Sequence, residues 1–555
     1  MKRIYRDGLF ILAAGALSAS CANYDVTDEF RGQPDPSFVE PYKDYSPVKT
    51  YIDKSKYPNM TLGATLKVAE FNKQELAHAA AVTNFDNLAF GTTLMSGTIV
   101  NEKGIMNFLD MKDLLDHVEE IGGEVFGSPL VANENQADGW LNMLTAPIEI
   151  HVNSIADKDV DYTNMDEFSG TVIYSDDPIK VKKNYDGNIN ALELTEFSSV
   201  YIIEDFDVDP LGSYTITFYA KSSKDQSITC TFSDKLIKEK ESDKLGKKYA
   251  VKAGKWVKVV VEATPAQGAT KGYFMIEDVA NANLYIQKVS VTHTPDNHRP
   301  QTETELKDTI NYALDTWCDG VMKINEGRIK SFDLIDEPLG TQKLENGMYD
   351  LKHSTDKVYW QDVFGSEEYA PKVSNVARAA FERYGGNASE LKFFISESGL
   401  DDNQKMESLK YWIGIWDGKG AKIDGINAKV NLTYSEDETK QKENVASLDN
   451  LLDNLAATGK LIRISNFDIK YQDATGSSVA ASDIKEDQRQ KLADYYAYVI
   501  KSYMSKIPHD KQAGICKGNM SDTSDPVGLW TIDSKSRDWV RNATYKAFCD
   551  ALSGK

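Results

Sequence analysis

The feature of this sequence that most constrains its fold is a change of hydrophobic periodicity that occurs twice along the chain. From about residue 58 to 147, short apolar runs alternate with amphipathic stretches, as expected for strands and helices in turn. Between about 148 and 297 the pattern becomes period two, for example at 214–221, 255–263 and 284–292. From about 299 the alternation of helix and strand resumes. The sequence therefore predicts an α/β domain that is split by an inserted all-β domain, an insertion that exposed loop tips tolerate.

Length and composition agree with this organisation. The chain has 555 residues, more than the ~250 to 300 at which a single hydrophobic core usually stops growing. Apolar residues make up 41% and charged residues 27%, as in an ordinary folded protein. We expect the α/β domain to occupy 58–147 and 299–555. We expect residues 148–298 to form a jelly-roll or β-sandwich domain.

The N-terminal segment has the pattern of an export signal. Basic residues are followed by an apolar run from Leu9 to Leu17 and by small residues that end at Cys21. This run is too short to span a bilayer, which needs ~20 apolar residues. The pattern resembles a bacterial lipobox, although Ser18 stands where Leu is usual. The sequence predicts a lipoprotein signal peptide over 1–21, lipid attachment at Cys21, and a proline-containing tether over 22–57.

Charge and cysteine content exclude several classes of partner. The formal net charge is -22, and such a field repels the phosphate backbone of nucleic acids. The five cysteines are too few for a disulfide framework and lack the spacing of a metal site. We therefore expect no nucleic-acid partner, no cofactor and no bound metal. The acidic stretch 23–29 resembles the export signal of surface lipoproteins in some Gram-negative bacteria, and it predicts an outer-membrane protein that faces the cell surface.

Five segments in the α/β parts carry a family resemblance. These are PheAspLeuIleAspGlu at 332–337, the strand-like segments 393–400, 422–426 and 462–469, and an earlier one at 124–131. In this order and spacing they resemble strands three to seven of glycoside hydrolase family 10, the endo-xylanases. The resemblance implies a (β/α)8 barrel whose active site lies at the C-terminal ends of the strands.

The chemistry of that family needs two carboxylates, a general acid and a nucleophile about 5 to 5.5 Å apart. The resemblance places Glu337 at the acid/base position. It places Asn466 at the nucleophile position, where an amide has no anionic oxygen to attack the anomeric carbon. The family's usual sugar-binding side chains are also replaced, over Gly91–Met95 and Gly127–Asn133 and near Lys429. The sequence therefore predicts a barrel without normal retaining catalysis.

Two readings of the remaining site residues stay open. Asp468 and Glu397 are acidic residues that could pair with Glu337 in an altered, inverting mechanism, for which the two carboxyl groups lie ~6.5 to 9.5 Å apart. Asp468 also matches a supporting Asp of the family. We assign substrate contacts to four further residues, which are Asp336, Asn133, Trp140 and Trp530.

The inserted segment resembles β-sandwich carbohydrate-binding modules of families 4 and 22. Such modules stack aromatic rings on sugars, and the candidates here are Tyr162, Tyr185, Tyr201 and Trp256. For each of them a role in the core is the alternative.

Three functions compete at this point. The first is a surface lipoprotein that binds a β-linked plant polysaccharide such as xylan, with an outer-membrane glycan-uptake complex as a candidate partner. The second is an active endo-acting β-glycosidase that uses Glu337 with a second, non-standard carboxylate. The third is a lipoprotein for protein interaction. An open, aromatic-lined barrel mouth would favour the first two, whereas a mouth plugged by its loops would favour the third.

Overall fold

The computed structural model describes residues 42–150, 157–195, 197–236, 246–277 and 282–555. The chain divides into two compact units. One comprises the residues up to Thr145 together with Glu303–Lys555, and the other comprises Ala146–Thr302. The inserted unit is therefore a few residues longer at each end than the predicted 148–298.

The large unit is a (β/α)8 barrel. Its strands pair in parallel and in sequence, and the eighth strand returns to pair with the first. The strands are β1 (Thr61–Thr65), β2 (Asn87–Ala89), β3 (Glu124–Phe126 continued by Val131–Ala132), β4 (Ser331–Asp336), β5 (Lys392–Ser398), β6 (Gly425–Ser435), β7 (Leu461–Gln472) and β8 (Gln512–Lys517).

Strand β3 is interrupted in the middle. Its first segment pairs with β2, Gly127 bridges to Phe332, and its second segment pairs with the end of β4. A Cβ atom at position 127 would collide with the ring of Phe332, so only glycine lets the two backbones approach here. Residues 128–130 form the break between the two segments.

Helices cover the outside of the barrel because each has one apolar face. In the helix Leu109–Glu120, for example, Leu114, Leu115 and Val118 are buried, and Gly122 then ends the helix with a φ of 67°. The helices are α1 (Val68–Asn72), α2 (Leu76–Asn84), α3 (Ser96–Ile99), α4 (Leu109–Glu120), α5 (Asp138–Leu144), α6 (Glu303–Asn325), α7 (Trp360–Phe364), α8 (Tyr369–Arg383), α9 (Asn403–Gly418), α10 (Glu438–Ala456), α11 (Glu486–Lys506) and α12 (Ala543–Leu552).

Shorter elements complete the large unit. Two antiparallel hairpins pair Leu339–Lys343 with Tyr349–Leu351 and Trp530–Ile532 with Trp539–Arg541. Single 3-10 turns lie at Val48–Tyr51, Gly91–Leu94 and His509–Lys511. Within the described residues, no helix has the length and apolar character needed to cross a bilayer.

The inserted unit is an antiparallel β-sandwich. One sheet contains Val172–Tyr174, Ser199–Asp207, Gln226–Ser233, Lys247–Val251 and Lys271–Glu277. The other contains Lys158–Asp161, Lys180–Asp186, Ile189–Leu194, Ser213–Ser222, Val257–Ala263 and Leu284–Thr294. A further short pair joins Ile148–Glu149 to His298–Arg299. Period-two burial, such as that of Ser213–Ser222, sends alternate side chains into one core between the two sheets.

The tether prediction for 22–57 is wrong for its described part. Residues from 42 onward lie against the barrel unit, where Val48 is fully buried and Ile52 nearly so. The guanidinium of Arg541 donates to the carbonyl oxygens of Tyr42 and Tyr45. Proline content suggested a spacer, but Pro47 instead precedes a 3-10 turn that carries apolar side chains into the core. Residues 22–41 lie outside the described residues.

Candidate active site at the barrel mouth

A cavity of about 290 Å³ and one of about 230 Å³ open at the carboxyl ends of the barrel strands. The smaller one, the mouth cavity, is central. The strands β1–β4 and β6–β8 and the loops that follow them contribute to its wall, which is lined by Thr65, Ala89, Phe90, Gly91, Thr92, Met95, Phe126, Gly127, Ser128, Pro129, Asp333, Asp336, Asn427, Lys429, Arg463, Ser465, Asn466 and Cys516. Catalytic groups of (β/α)8 enzymes occupy this end of the fold.

Glu337 directly follows the last residue of β4. Its backbone N–H donates to the carbonyl oxygen of Ser396 at 2.8 Å, which fixes it above β5. Its φ is 44°, in the left-handed region that few non-glycine residues adopt. Such outliers persist where the surrounding structure holds them, and they are frequent at functional sites. The structure thus places this predicted acid/base residue at the mouth.

Lys429 changes the electrostatics of this carboxylate. Its Nζ lies 2.5 Å from Oδ1 of Asp336 and 3.3 Å from Oε1 of Glu337. Lys352 adds a second ammonium 3.8 Å from Oε2 of Glu337. Burial by itself would raise the pKa of Glu337, but these cations and the Ser398 hydroxyl outweigh it and lower the pKa. Glu337 is therefore held as a carboxylate, whereas a general acid must carry a proton near the operating pH.

Asp336 is a salt-bridge partner in this arrangement. Besides Lys429, its Oδ1 accepts a hydrogen bond from the Ser396 hydroxyl. It is one of the four residues to which the sequence assigned substrate contacts, and it does line the mouth cavity. The sequence reasoning noted Lys429 only as a replacement for a family residue and missed its role as the cation between two carboxylates.

Asn466 lies on β7 and lines the same cavity. Its φ is 51°, and the pairing of β7 with β8 is irregular between Ile464 and Phe467. The residue is exposed, so its amide is available to a ligand. An amide can donate and accept hydrogen bonds to sugar hydroxyls, but it supplies neither a nucleophile nor a negative charge.

Asp468, the first alternative carboxylate, is occupied by other partners. Its Oδ1 forms an ion pair with Lys517, which is fully buried, and accepts from the backbone N–H of Asn519 at 3.1 Å. Its Oδ2 accepts from the Asn519 amide at 2.6 Å. Asp468 itself is only 9% exposed. Both oxygens are thus saturated, and Asp468 holds β7 to the end of β8.

Glu397, the second alternative, is similarly committed. Only 1% of it is exposed, and its Oε1 lies 2.8 Å from the ammonium of Lys405. Its Oε2 accepts from the backbone N–H of Leu339 at 3.2 Å. Burial raises the pKa of Glu397 despite the lysine. A carboxyl that is covered and paired in this way ties the loop after β4 to β5.

A buried polar network forms the floor of the mouth cavity. The side-chain amide of Asn427 donates to both carboxylate oxygens of Asp333, at 2.9 and 3.1 Å. The guanidinium of Arg463 donates to the side-chain oxygen Oδ1 of Asn427 at 3.2 Å. The guanidinium of Arg463 also lies 4.0 Å from the ring centre of Phe126. Burial raises the pKa of Asp333 to about 7. Sequence reasoning missed this network, although the polar residues Asp333 and Arg463 inside apolar strand segments were a usable signal.

Three of the predicted substrate contacts need correction. Asn133 is 1% exposed, and its Oδ1 accepts from Gln361 at 3.1 Å, so it is a buried structural amide. Trp140 is buried on α5, and Trp530 is buried against Tyr545. Neither indole has a free face for stacking on a sugar. Among the described residues that line the mouth cavity, only Phe90 and Phe126 are aromatic, and both are buried.

The four aromatic candidates of the inserted unit differ in their burial. Tyr162 and Tyr201 are buried. Tyr185 and Trp256 are only partly buried and contact each other edge to face, with ring centres 6.2 Å apart. The Trp256 indole N–H also donates to Asp186 at 2.8 Å. Tyr185 and Trp256 therefore remain the candidates for sugar contact in this unit.

Cys21, the predicted lipid attachment site, lies outside the described residues. The other four cysteines, Cys230, Cys318, Cys516 and Cys549, are buried free thiols. In the part of the chain that the structure describes, no group of His, Cys, Asp and Glu side chains is arranged to hold a metal ion.

Comparison with known proteins now adds an independent observation. Residues 292–531 match the sequence profile of Glycosyl hydrolase family 10. Solved structures that share the fold include two xylanases. One is xylanase B from Clostridium stercorarium F9, at 12% identity and a TM-score of 0.50, which aligns over 91% of this chain and 100% of its own length. The other is a GH10 endoxylanase from a sugarcane soil metagenome, at 9% identity and a TM-score of 0.51, aligned over 92% of this chain and 100% of its own length.

No curated protein matches the sequence. At these identities the solved structures establish a shared fold only. The family match and the closed parallel barrel agree with the motifs at 332–337 and 462–469. The resemblance to glycoside hydrolase family 10 that the sequence predicts is therefore confirmed, on a (β/α)8 barrel that carries an inserted β-sandwich unit.

Proposed function

We propose that this protein binds a β-linked plant polysaccharide such as xylan at its barrel mouth and does not cleave it by the retaining mechanism. The observation that carries the proposal is the position of the Lys429 ammonium between Asp336 and Glu337, in a mouth where Asn466 replaces the nucleophile. The Lys429 ammonium keeps Glu337, the acid/base residue, ionised, and Asn466 supplies no attacking group. The first step of the double displacement thus lacks both a protonated acid and a nucleophile, so no glycosyl-enzyme forms for the second step.

The mouth is open but lacks an exposed aromatic lining among the residues that the structure describes, so the proposal of binding rests on the polar groups of the mouth. The cavity of about 230 Å³ is lined by the Asn466 amide, by hydroxyl groups such as that of Ser128, and by charged side chains. Groups of this kind form hydrogen bonds to sugar hydroxyls. Tyr185 and Trp256 of the inserted unit offer a second place for sugar contact, on partly exposed aromatic rings.

The alternative of an active β-glycosidase needs a second free carboxylate. Asp468 and Glu397 are the candidates, but each is buried and paired with a lysine. Freeing Asp468 would leave the fully buried ammonium of Lys517 uncompensated, which costs several kcal/mol. Glu397 is itself only 1% exposed, so it is covered from substrate. This alternative therefore has no observation in its favour beyond the presence of Glu337.

The cellular part of the proposal rests on sequence alone. The segment that ends at Cys21 and the acidic stretch after it support an exported lipoprotein on the outer membrane, facing the cell surface. A polysaccharide-binding protein in this place would act in glycan capture, and a glycan-uptake complex would be its natural partner. Mass spectrometry of Cys21 after expression in a Gram-negative host tests the lipid attachment.

The binding proposal is tested by affinity electrophoresis in gels that contain soluble xylan or mixed-linkage β-glucan. Thr92→Trp places an indole in the mouth cavity from its exposed rim. Ser389→Trp is the matched control, because Ser389 is exposed on the loop before β5, at the opposite end of the barrel. We expect xylan to retard the wild type and Ser389→Trp equally, and to retard Thr92→Trp less. Equal migration of all three proteins in every glycan would contradict the proposal and favour a protein-interaction role.

A further inference from the structure

The larger cavity at the barrel mouth, which we call the side pocket, lies between β6 and α10 and has no assigned role. It measures about 290 Å³ and is lined by Ser398, Gly399, Leu400, Asp401, Ala428, Lys429, Val430, Asn431, Leu432, Thr433, Asn444, Ser447, Leu448, Leu451 and Tyr495. Lys429 also lines the central mouth cavity. The side pocket therefore adjoins the place where the proposed glycan backbone would lie.

A bulge in β7 lies opposite the segment of β6 that lines the side pocket. Lys429 of β6 pairs with Ser465 and Asn431 pairs with Asp468, so the extra residue belongs to β7. On β6, residues 428–433 all line the side pocket. Lys429 borders both cavities, whereas Asn431 borders only the side pocket. The side pocket thus has a polar residue in its lining that the mouth cavity does not share.

The polar rim of the side pocket is held in place by hydrogen bonds. The Ser447 hydroxyl donates to Oδ2 of Asp401 at 2.9 Å, which ties α10 to the loop after β5. The Asn444 amide donates to the carbonyl oxygen of Thr433 at 2.9 Å, which ties α10 to β6. The pocket thus combines an ordered polar rim with an apolar floor that includes Leu448 and Leu451.

The size and charge of the side pocket define its ligand. At roughly 30 Å³ per water-sized group, its volume takes about ten such groups, close to the heavy atoms of one pentosyl unit. A mixture of hydroxyl, amide and aliphatic groups fits the two kinds of surface on a sugar. The single carboxylate of the rim, Asp401, would repel an acidic sugar, and the ammonium of Lys429 is already paired with two carboxylates.

We propose that the side pocket binds a neutral monosaccharide branch of the polysaccharide, and so makes the protein selective for decorated chains. This inference rests on the proposed function, because the branch is presented by a backbone bound at the mouth. It differs from that function in its prediction, since backbone binding alone gives no preference between linear and branched chains.

The test is isothermal titration calorimetry of the full chain with three probes. These are linear xylohexaose, the same backbone with one arabinofuranosyl branch, and the same backbone with one glucuronosyl branch. We expect the arabinosylated probe to bind at least about tenfold more tightly than the linear one, which corresponds to about 1.4 kcal/mol. We expect the glucuronosylated probe to show no gain.

Two variants on α10 assign the effect to the pocket. Ser447→Tyr fills the side pocket, and Ala446→Tyr places the same ring on the adjacent exposed position, which does not line it. We expect Ser447→Tyr to bind linear and branched probes equally and Ala446→Tyr to keep the preference. Equal binding of linear and arabinosylated probes by the wild type, or an unchanged preference in Ser447→Tyr, would overturn this inference and leave the proposed function standing. Failure of all three probes to bind would overturn both.

Discussion

Replacing Lys429 by glutamine should raise the pKa of Glu337. The ammonium lies 3.3 Å from Oε1 of Glu337, and the amide that replaces it carries no charge. The substitution also leaves the negative charge of Asp336, formerly 2.5 Å from the same ammonium, uncompensated beside Glu337. Both effects favour the protonated carboxyl.

The size of the shift follows from the distance. Two unit charges 3.3 Å apart interact by about 1.3 kcal/mol in water and about 5 kcal/mol at an effective dielectric constant near 20. Glu337 is one-third exposed, so solvent screening places the value in the lower part of this range. At about 1.4 kcal/mol per unit, we expect the pKa of Glu337 to rise by about 1 to 2 units in Lys429→Gln.

The assay is a carbon-13 NMR titration of protein labelled at the glutamate side-chain carboxyls. The resonance of Glu337 is assigned by its loss in Glu337→Gln. Lys352→Gln is the graded comparison, because its ammonium is 3.8 Å away and one-third exposed, and it should give a smaller rise. Lys440→Gln, on an exposed face of α10 beside Glu443, should give none.

A pKa of Glu337 that stays constant or falls in Lys429→Gln would refute this reasoning. It would mean that the ammonium does not hold the carboxylate in its ionised form. The loss of retaining catalysis would then rest on Asn466 alone.

Three further predictions concern stability. Lys517→Met leaves the buried carboxylate of Asp468 without its ion-pair partner. Urea denaturation should show a free energy of unfolding lower by about 3 to 5 kcal/mol. A loss below about 1 kcal/mol would show that the ion pair does not stabilise the fold. Burial and the neighbouring His117 lower the pKa of His78 from 6.5 to about 4. The unfolded chain therefore takes up a proton at a higher pH than the folded protein does. The free energy of unfolding should be unaffected by His78 above pH 6.5 and should fall by about 3 kcal/mol as the pH drops to 4. That decline should flatten in His78→Gln, and an equal pH slope in both proteins would contradict the assignment. Trp140→Ala should cost about 3 to 5 kcal/mol while xylan binding per folded molecule is unchanged, and a selective loss of binding would restore Trp140 to the site.

The architecture could be predicted because it depends on periodicity, which is local. Period-two burial over 213–222 and amphipathic spacing in α4 are visible in the sequence, and so is the return of strand–helix alternation after the insert. The order of the motifs from 332–337 to 462–469 then gave the position of Glu337 at the mouth. The boundary between the tether and the barrel unit could not be predicted from the sequence, because only the packed structure shows that Val48 is buried against the barrel.

The electrostatics of the site could not be predicted, since they depend on where long side chains reach. Lys429 is distant in sequence from Asp336 and Glu337, and only the barrel closure brings its ammonium between them. The commitment of Asp468 to Lys517 is likewise tertiary. The assignment of Trp140 and Trp530 to substrate contact was wrong. Both residues lie in segments that follow barrel strands, and the local sequence there is the same whether an aromatic side chain lines a cleft or fills the core.

The most direct test of the account measures binding and cleavage in one sample. The full chain is incubated with soluble xylan, the bound fraction is determined by sedimentation, and new reducing ends are counted in the same mixture, with Glu337→Gln in parallel. We predict that xylan is bound and that reducing ends do not rise above those of Glu337→Gln. A steady release of reducing ends by the wild type that Glu337→Gln abolishes would contradict it.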